Sequence, residues 1–185
     1  LSSGEIPLRG NIYWADLEPV KGSEQGGFRP VFIVSNILMN KFAPIVIAIP
    51  MTSKVKEAPF NIQYSVTDYS INQSAINQLK ANGHFFKVES GFILCNQSRS
   101  ISKDRLIKKI GEFTNEEIVA KVSEAIIHSY GLNVCSSCET PLIPNSTHCI
   151  SKACRKAHSV KCPDCKEISP LKFRYCPNCG RSLKE

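Results

Sequence analysis

Eight of the nine cysteines lie between Cys135 and Cys179, and they come as four pairs: Cys135/Cys138, Cys149/Cys154, Cys162/Cys165 and Cys176/Cys179. A Cys-x-x-Cys turn sets two thiolates on one side of a tight knuckle, and a second pair completes a tetrahedron. Zinc takes such closed four-sulfur shells, and ligand pairs at this spacing are their signature. The pattern therefore predicts two structural Zn²⁺ sites, one in each half of a module over residues 132–185. The second unit, CPDC…CPNCG, is regular, with Gly180 giving its knuckle a permissive backbone. The first is looser, since four residues separate Cys149 from Cys154, and His148 or His158 could replace one of its cysteines. A closed shell leaves no position for water, so this metal is not expected to do catalysis. Either it stands in for a core too small to fold alone, or it builds a docking module for RNA, DNA or protein. The second reading would use Lys152, Arg155, Lys156, Lys161, Lys172, Phe173, Arg174 and Tyr175 as basic and aromatic contacts.

Outside the tail, chemistry is concentrated in three segments: Arg9 to Leu17, the loop GSEQGGFRP from Gly22 to Pro30, and NQSRSI from Asn96 to Ile101 with Arg105-Leu106 beyond. The loop delivers Arg29 to the start of an apolar run. An arginine before proline is held extended, which suits a fixed guanidinium. The residues alone also allow a simple hairpin loop whose Arg29 makes one salt bridge. Cys95, in an apolar run, reads as a small buried hydrophobe rather than a nucleophile. His84, after a turn, reads as solvated, and Trp14 as core or dimer interface.

The elements that must position these residues are mostly strands. Asn11 to Asp16 is short, aromatic and β-branched; Val31 to Ser35 and Ile45 to Met51 are near-continuous apolar runs, as expected of strands buried on both faces of a small barrel. Phe60 to Val66 alternates, and Phe85 to Val88, Gly91 to Cys95 and Ile107 to Phe113 also have strand character. Ser70 to His84 would suit a helix ended by Asn82-Gly83. Thr114-Asn115-Glu116-Glu117 reads as a capping box, with the Thr114 hydroxyl accepting from the N–H of Glu117. Ile118, Val122, Ala125 and Ile126 follow at helical spacing, and Gly131 marks the stop.

Of 185 residues, 42% are hydrophobic and 21% charged, a globular balance. The longest apolar stretch, Pro44 to Met51, is too short to span a bilayer, and no basic-then-apolar leader opens the sequence, so a cytoplasmic protein without a membrane partner is expected. Net charge is +7, of which residues 1–130 carry +2 and residues 131–185 carry +5. Eight thiolates and two zinc ions would bring the tail down to about +1. The basic excess thus argues little for nucleic acid, and a DNA-reading regulator has no recognition-helix pattern to support it.

From about Arg9 to Tyr130 the order and wording of the three segments resemble the MazF/PemK family of toxin endoribonucleases (mRNA interferases), with Pro50-Met51-Thr52-Ser53 where that family ends its third strand. The resemblance implies a mainly β fold, an SH3-like β-barrel with a C-terminal helix over residues 5–131, assembled as a homodimer. It implies sequence-specific cleavage of single-stranded RNA without a catalytic metal, by attack of a ribose 2′-OH on the adjacent phosphate, and an antitoxin protein as partner. Arg29 matches the family's catalytic arginine, Thr52 its hydroxyl partner and Gln97 a polar position of its motif. Ser23, Glu24 and Gln25 match a gating loop that contacts RNA, and Arg99 and Ser100 fit the same RNA-binding motif. Asn96 stands where some branches carry a carboxylate and Leu94 where others carry an arginine, which places the chain near the branch relying on Arg29 and Thr52. The resemblance names no general base; Glu24 is a candidate by charge. A second reading keeps the barrel as an RNA- or protein-binding module of a toxin–antitoxin-like system, with little or no cleavage. The tail resembles the double zinc-ribbon modules appended to many unrelated proteins, which does not select a ligand.

Overall fold

The structure is a computed structural model that describes residues 5–54, 58, 60–85, 87–132, 135, 137, 148, 153–154, 157, 159–170 and 174–183. It divides into two units, Leu1–Ser129 and Tyr130–Glu185.

Eight strands build the first unit: β1 (Asn11–Asp16), β2 (Phe28–Ile33), β3 (Ile45–Thr52), β4 (Asn61–Tyr64), β5 (Tyr69–Ile71), β6 (Gly91–Leu94), β7 (Arg99–Ser102) and β8 (Leu106–Phe113). Their order is β4-β6-β3-β2-β1-β8-β5, with β7 also paired to β3. The sheet forks at β3, whose first half takes β7 and whose end takes β6, through Thr52 opposite Phe92. Strands β4 and β5 occupy opposite ends of this order yet are joined by only Ser65 to Asp68. So short a connection requires the sheet to curl until its ends meet, and Tyr64 and Tyr69 mark the seam, with ring centroids 5.7 Å apart. The expected mainly β, barrel-like fold is what forms.

Alternation along the central strands feeds two cores. Ile12 and Trp14 of β1 join Phe32, Ile49, Met51 and Ile93 in one, while Tyr13 and Ala15 join Val31, Ile33, Val46 and Ala48 in the other. This burial on both faces explains why these strands read as continuous apolar runs rather than alternating ones.

Among the described residues three α-helices complete the unit: α1 (Ile37–Phe42), α2 (Gln73–Ala81) and α3 (Glu116–Ser129). Helix α2 occupies the stretch with a helical composition and buries Ala75, Ile76 and Leu79. Helix α3 buries Ile118, Val122 and Ala125 of the predicted stripe, while Ile126 is partly buried against the same core. Its start differs from expectation: Asn115 Oδ1, not the Thr114 hydroxyl, accepts from Glu117 N, at 3.0 Å. The carbonyl of Asp68 takes the N–H groups of Thr114 and Asn115 and the Thr114 hydroxyl. Glu117 pairs forward with Lys121, at 2.6 Å, rather than reaching back. Phe85, Lys87 and Val88 belong to no strand. Among the described residues no helix is long and apolar enough to cross a membrane.

In the second unit β9 (Ser159–Lys161) pairs antiparallel with β10 (Ile168–Pro170), a small ribbon whose two strands flank the CPDC turn.

Candidate active site and metal centre

Arg29 enters β2 from a loop whose shape is set by its own side chains. Glu18 folds back to accept from Val20 N at 3.2 Å and from Gly27 N at 2.7 Å. Gly22 and Gly27 have φ of 61° and 74°, conformations that a side chain would strain. The guanidinium is then locked from two sides: Nε donates to the carbonyl of Gly26 at 2.7 Å and Nη1 to Gln25 Oε1 at 2.6 Å. Gln25 N in turn donates to Gln97 Oε1, at 3.4 Å, tying the loop to the turn that precedes β7. Arg99 holds the other side, donating to the carbonyl of Leu17 at 2.6 Å and pairing with Glu24 at 3.4 Å. Arg105 likewise donates to the carbonyl of Glu18.

The cost of this placement is borne by Arg29. Burial lowers its pKa, and so does the nearby positive charge of Arg99, with Glu18 opposing. A guanidinium that is partly desolvated and beside a second one is a place where an added anion relieves repulsion. Its remaining amino group, Nη2, makes no hydrogen bond among the described residues, so the fork is oriented by protein and has donors to spare.

Arg29 and Thr52 line one cavity of about 240 Å³. Thr52 ends β3, and its hydroxyl accepts from Lys54 N at 3.2 Å, which leaves its proton for another acceptor. Gly91 makes room for it: a Cβ at that position would fall on the Thr52 carbonyl, so β6 can lie this close only because residue 91 has no side chain.

Of the residues singled out from sequence, the structure thus gathers Arg29, Gln25 and Gln97 into one hydrogen-bonded chain and puts Arg29 beside Thr52 in one cavity. Glu24 is engaged with Arg99 and the N–H of Lys21, and Arg99 anchors the loop. Ser23 and Ser100 are exposed and are not among the residues lining the cavity. Asn96 is exposed and Leu94 buried. Cys95 is fully buried, which pushes its thiol up to about 12 and removes it as a nucleophile. Trp14 is core, as expected, while also lining the cavity. His84 is not simply solvated: it is half-buried, its ring 4.8 Å from that of Phe28 and 6.0 Å from that of Trp14.

Sequence reasoning missed the rest of the wall, which comes from Tyr64, Tyr69, Phe85, Lys87 and Glu89. Glu89, unlike Glu24, brings a carboxylate to the cavity; hydrogen bonds from Lys87 and Ser53 hold its pKa below the ordinary value, so it is ionised there. No local pattern marks these residues, because they reach the site only when the sheet curls.

In the second unit Cys162, Cys165, Cys176 and Cys179 form a group able to hold a metal ion, their sulfurs all within 4.8 Å of one another. Two of the separations are 3.6 Å (Cys162–Cys179) and 3.4 Å (Cys165–Cys176). A tetrahedron with zinc–sulfur bonds of about 2.3 Å sets its sulfurs ~3.8 Å apart, so the donor set fits zinc and is far from disulfide distance. The two knuckles repeat one geometry. Lys166 N donates to the Cys162 carbonyl and Gly180 N to that of Cys176, and both residues take left-handed backbone, at φ 65° and 75°. The backbone N–H of Glu167 lowers the pKa of the Cys165 thiol, toward the thiolate a metal requires, while the neighbouring Cys179 thiol is raised. In the looser unit the Cys135 and Cys154 sulfurs are 3.6 Å apart. Cys138, Cys149 and His158 lie outside the described residues, and His148 is exposed, bridged to Ala157.

The first unit has known relatives. A family model for PemK-like, MazF-like toxins of type II toxin–antitoxin systems matches residues 8–130. Endoribonuclease EndoA of Bacillus subtilis (strain 168) is 34% identical over 129 residues, taking in 69% of this chain and 97% of that protein. The crystal structure of MazF (Form-I) from Deinococcus radiodurans shares the fold. Its TM-score is 0.53 at 23% identity, over 69% of this chain and 98% of that one.

Proposed function

The chain belongs to the family of PemK-like, MazF-like toxins of type II toxin–antitoxin systems, and on that premise we propose that it is an endoribonuclease that cuts single-stranded RNA without a catalytic metal. The observation that carries the reading is the placement of an oriented guanidinium, Arg29, and a hydroxyl with a proton to give, Thr52, in one cavity. Attack of a ribose 2′-OH on its own 3′-phosphate builds negative charge on the phosphate oxygens as the P–O bond to the next nucleotide breaks. Stabilising that charge with preset donors is the largest service a site can offer this reaction. Arg29 supplies a fork already fixed by Gly26 and Gln25, so little ordering is left to do when the phosphate arrives. Thr52 donates to a second phosphate oxygen. Gln25 and Gln97 act as positioning residues, and Ser23, Glu24, Arg99 and Ser100 border the path of the RNA.

The leaving 5′-oxygen needs a proton and the 2′-OH must lose one. Arg29 is a proton donor of limited acidity even with its pKa lowered, and Glu89 is the ionised carboxylate nearest in role to a base, since it lines the same cavity. The four-cysteine centre takes no part in these steps; zinc bound there would hold the tail folded, and the tail would serve docking of RNA or protein. An antitoxin protein and a second copy of the chain are the expected partners, in keeping with the family, and the setting is the cytoplasm.

The test is an RNA containing a site that the protein cuts, remade with a single 2′-deoxy nucleotide 5′ to the scissile bond. Cleavage at that bond should disappear while neighbouring cuts persist, and the normal products should end in a 2′,3′-cyclic phosphate or its opened form. Cleavage of the deoxy substrate at an undiminished rate would rule the 2′-OH mechanism out.

A further inference from the structure

The chain following α2 is pinned on both sides of Phe85, which is exposed. On one side His84 is wedged against the rings of Phe28 and Trp14. On the other, the Tyr69 hydroxyl donates to the carbonyl of Glu89 at 3.1 Å, while Lys87 pairs with the Glu89 carboxylate at 2.9 Å. Between the pins Phe85 lines the cavity of Arg29 and Thr52, although 85% of its surface remains exposed. A single exposed phenylalanine is unremarkable in general. This one is held by neighbours anchored to the barrel, at the mouth of a cavity walled by Tyr64 and Tyr69, with a phosphate-suited guanidinium inside. The cavity, about 240 Å³, is smaller than the ~300–1,000 Å³ of drug-sized pockets and suits one planar ring system.

We propose that this wall is a nucleobase subsite: the base beside the scissile phosphate stacks on Phe85, and the Lys87–Glu89 pair reads its edge. The proposal rests on the ribonuclease reading. Unpaired bases in single strands are taken up by stacking on aromatic rings and by hydrogen bonds to their edges. Lys87 offers only donors and the Glu89 carboxylate only acceptors, so together they distinguish one base edge from another. Phe85 sets affinity without regard to identity; Lys87 and Glu89 set identity.

The experiment compares wild type with Phe85→Ala, Phe85→Trp, Phe85→Leu and Glu89→Gln. Its readouts are cleavage kinetics and the base frequencies around each cut in a randomised RNA. Because Phe85 lies at the surface, the three Phe85 variants should melt with wild type, which a thermal scan confirms. Phe85→Ala should lower kcat/KM about tenfold, the loss falling on KM, as expected for one lost base stack. Phe85→Trp should restore it and Phe85→Leu should not, which separates stacking from filling space. Glu89→Gln, which also removes the ionised carboxylate and so should lower kcat, should change the preferred base at one position next to the cut among the cuts that remain. An active wild type whose kinetics and base frequencies are the same with alanine at 85 would overturn the subsite. A wild type that neither cuts nor binds RNA would overturn the ribonuclease reading itself, and the subsite with it.

Discussion

Replacing Gly91 by alanine should damage the site from behind while leaving every polar residue in place. Gly91 faces Tyr64 across β4 and lies against the end of β3. An added Cβ would overlap the Thr52 carbonyl oxygen and come within 3.0 Å of both the Thr52 carbonyl carbon and the Tyr64 hydroxyl. Backbone cannot swing aside as a flexible side chain can, so β6 and β3 must separate. Overpacking of this kind costs about 1–3 kcal/mol. For a unit spanning Leu1–Ser129, at ~4 °C per kcal/mol, melting should fall by about 4–12 °C. Thr52 moves with its strand, and a misplacement approaching 1 Å at a reacting group can cost ~10²-fold. Calorimetry and single-turnover cleavage would be run beside Gly22→Ala. There the new Cβ meets nothing within 4 Å and the penalty is backbone strain alone, in the loop rather than beneath Thr52. A Gly91→Ala protein that melts within about 1 °C of wild type and cleaves at the wild-type rate would refute the argument that this contact holds Thr52.

Asp68 accepts from Ser65 N and from the side chain of Asn115, and these bonds hold its pKa below the ordinary value. A depressed carboxylate stabilises the fold above its unfolded pKa of about 3.9 and loses that contribution as pH falls through the lower native value. Asp68→Asn should therefore melt below wild type at neutral pH, the gap closing under acid; a gap independent of pH would contradict the assignment. Asn115→Ala should cost about 0.5–2 kcal/mol as a lost helix cap, more than Thr114→Val, measured by denaturant midpoints. The protein as isolated should carry two zinc ions, Cys176→Ser should leave one, and stripping the metal should abolish amide protection over 159–170; a metal-free tail with unchanged protection would show that its core suffices. Gln25→Ala should leave stability within about 0.5 kcal/mol yet lower kcat, because Arg29 loses the partner of Nη1.

The barrel was legible where burial on both faces wrote continuous apolar runs, as in β2 and β3, and where a stripe recurred at helical spacing, as in α3. It was not legible where tertiary contacts chose between local options. Helix α1 has six residues and three of its apolar side chains, Ile37, Leu38 and Phe42, are exposed, so no periodic stripe announces it. The run around Phe85 has strand composition, but His84 and Glu89 are bound to other elements, and among the described residues Phe85, Lys87 and Val88 belong to no strand. Thr114 had the sequence of a cap, but Asn115 accepts from Glu117 N instead, while the Thr114 hydroxyl donates to the carbonyl of Asp68, distant in sequence. The site divides the same way. Arg29, Gln25, Thr52 and Gln97 stand in recognisable local motifs, whereas Phe85, Lys87 and Glu89 join them only because β4 and β5 meet. In the tail, spacing alone identified the group of Cys162, Cys165, Cys176 and Cys179 that could hold a metal, since metal ligation constrains sequence more tightly than a hydrophobic core does.

The most direct test of the central claim uses a long unstructured RNA, zinc-loaded protein and an Arg29→Ala variant, in buffer whose EDTA leaves the cysteine-bound metal in place. Site-specific cuts by wild type, reduced at least 100-fold in the variant, are the predicted result, that being the scale of one lost transition-state donor. Cuts of equal rate and pattern from both proteins would contradict it, since a site built around Arg29 could not then be the one that cleaves.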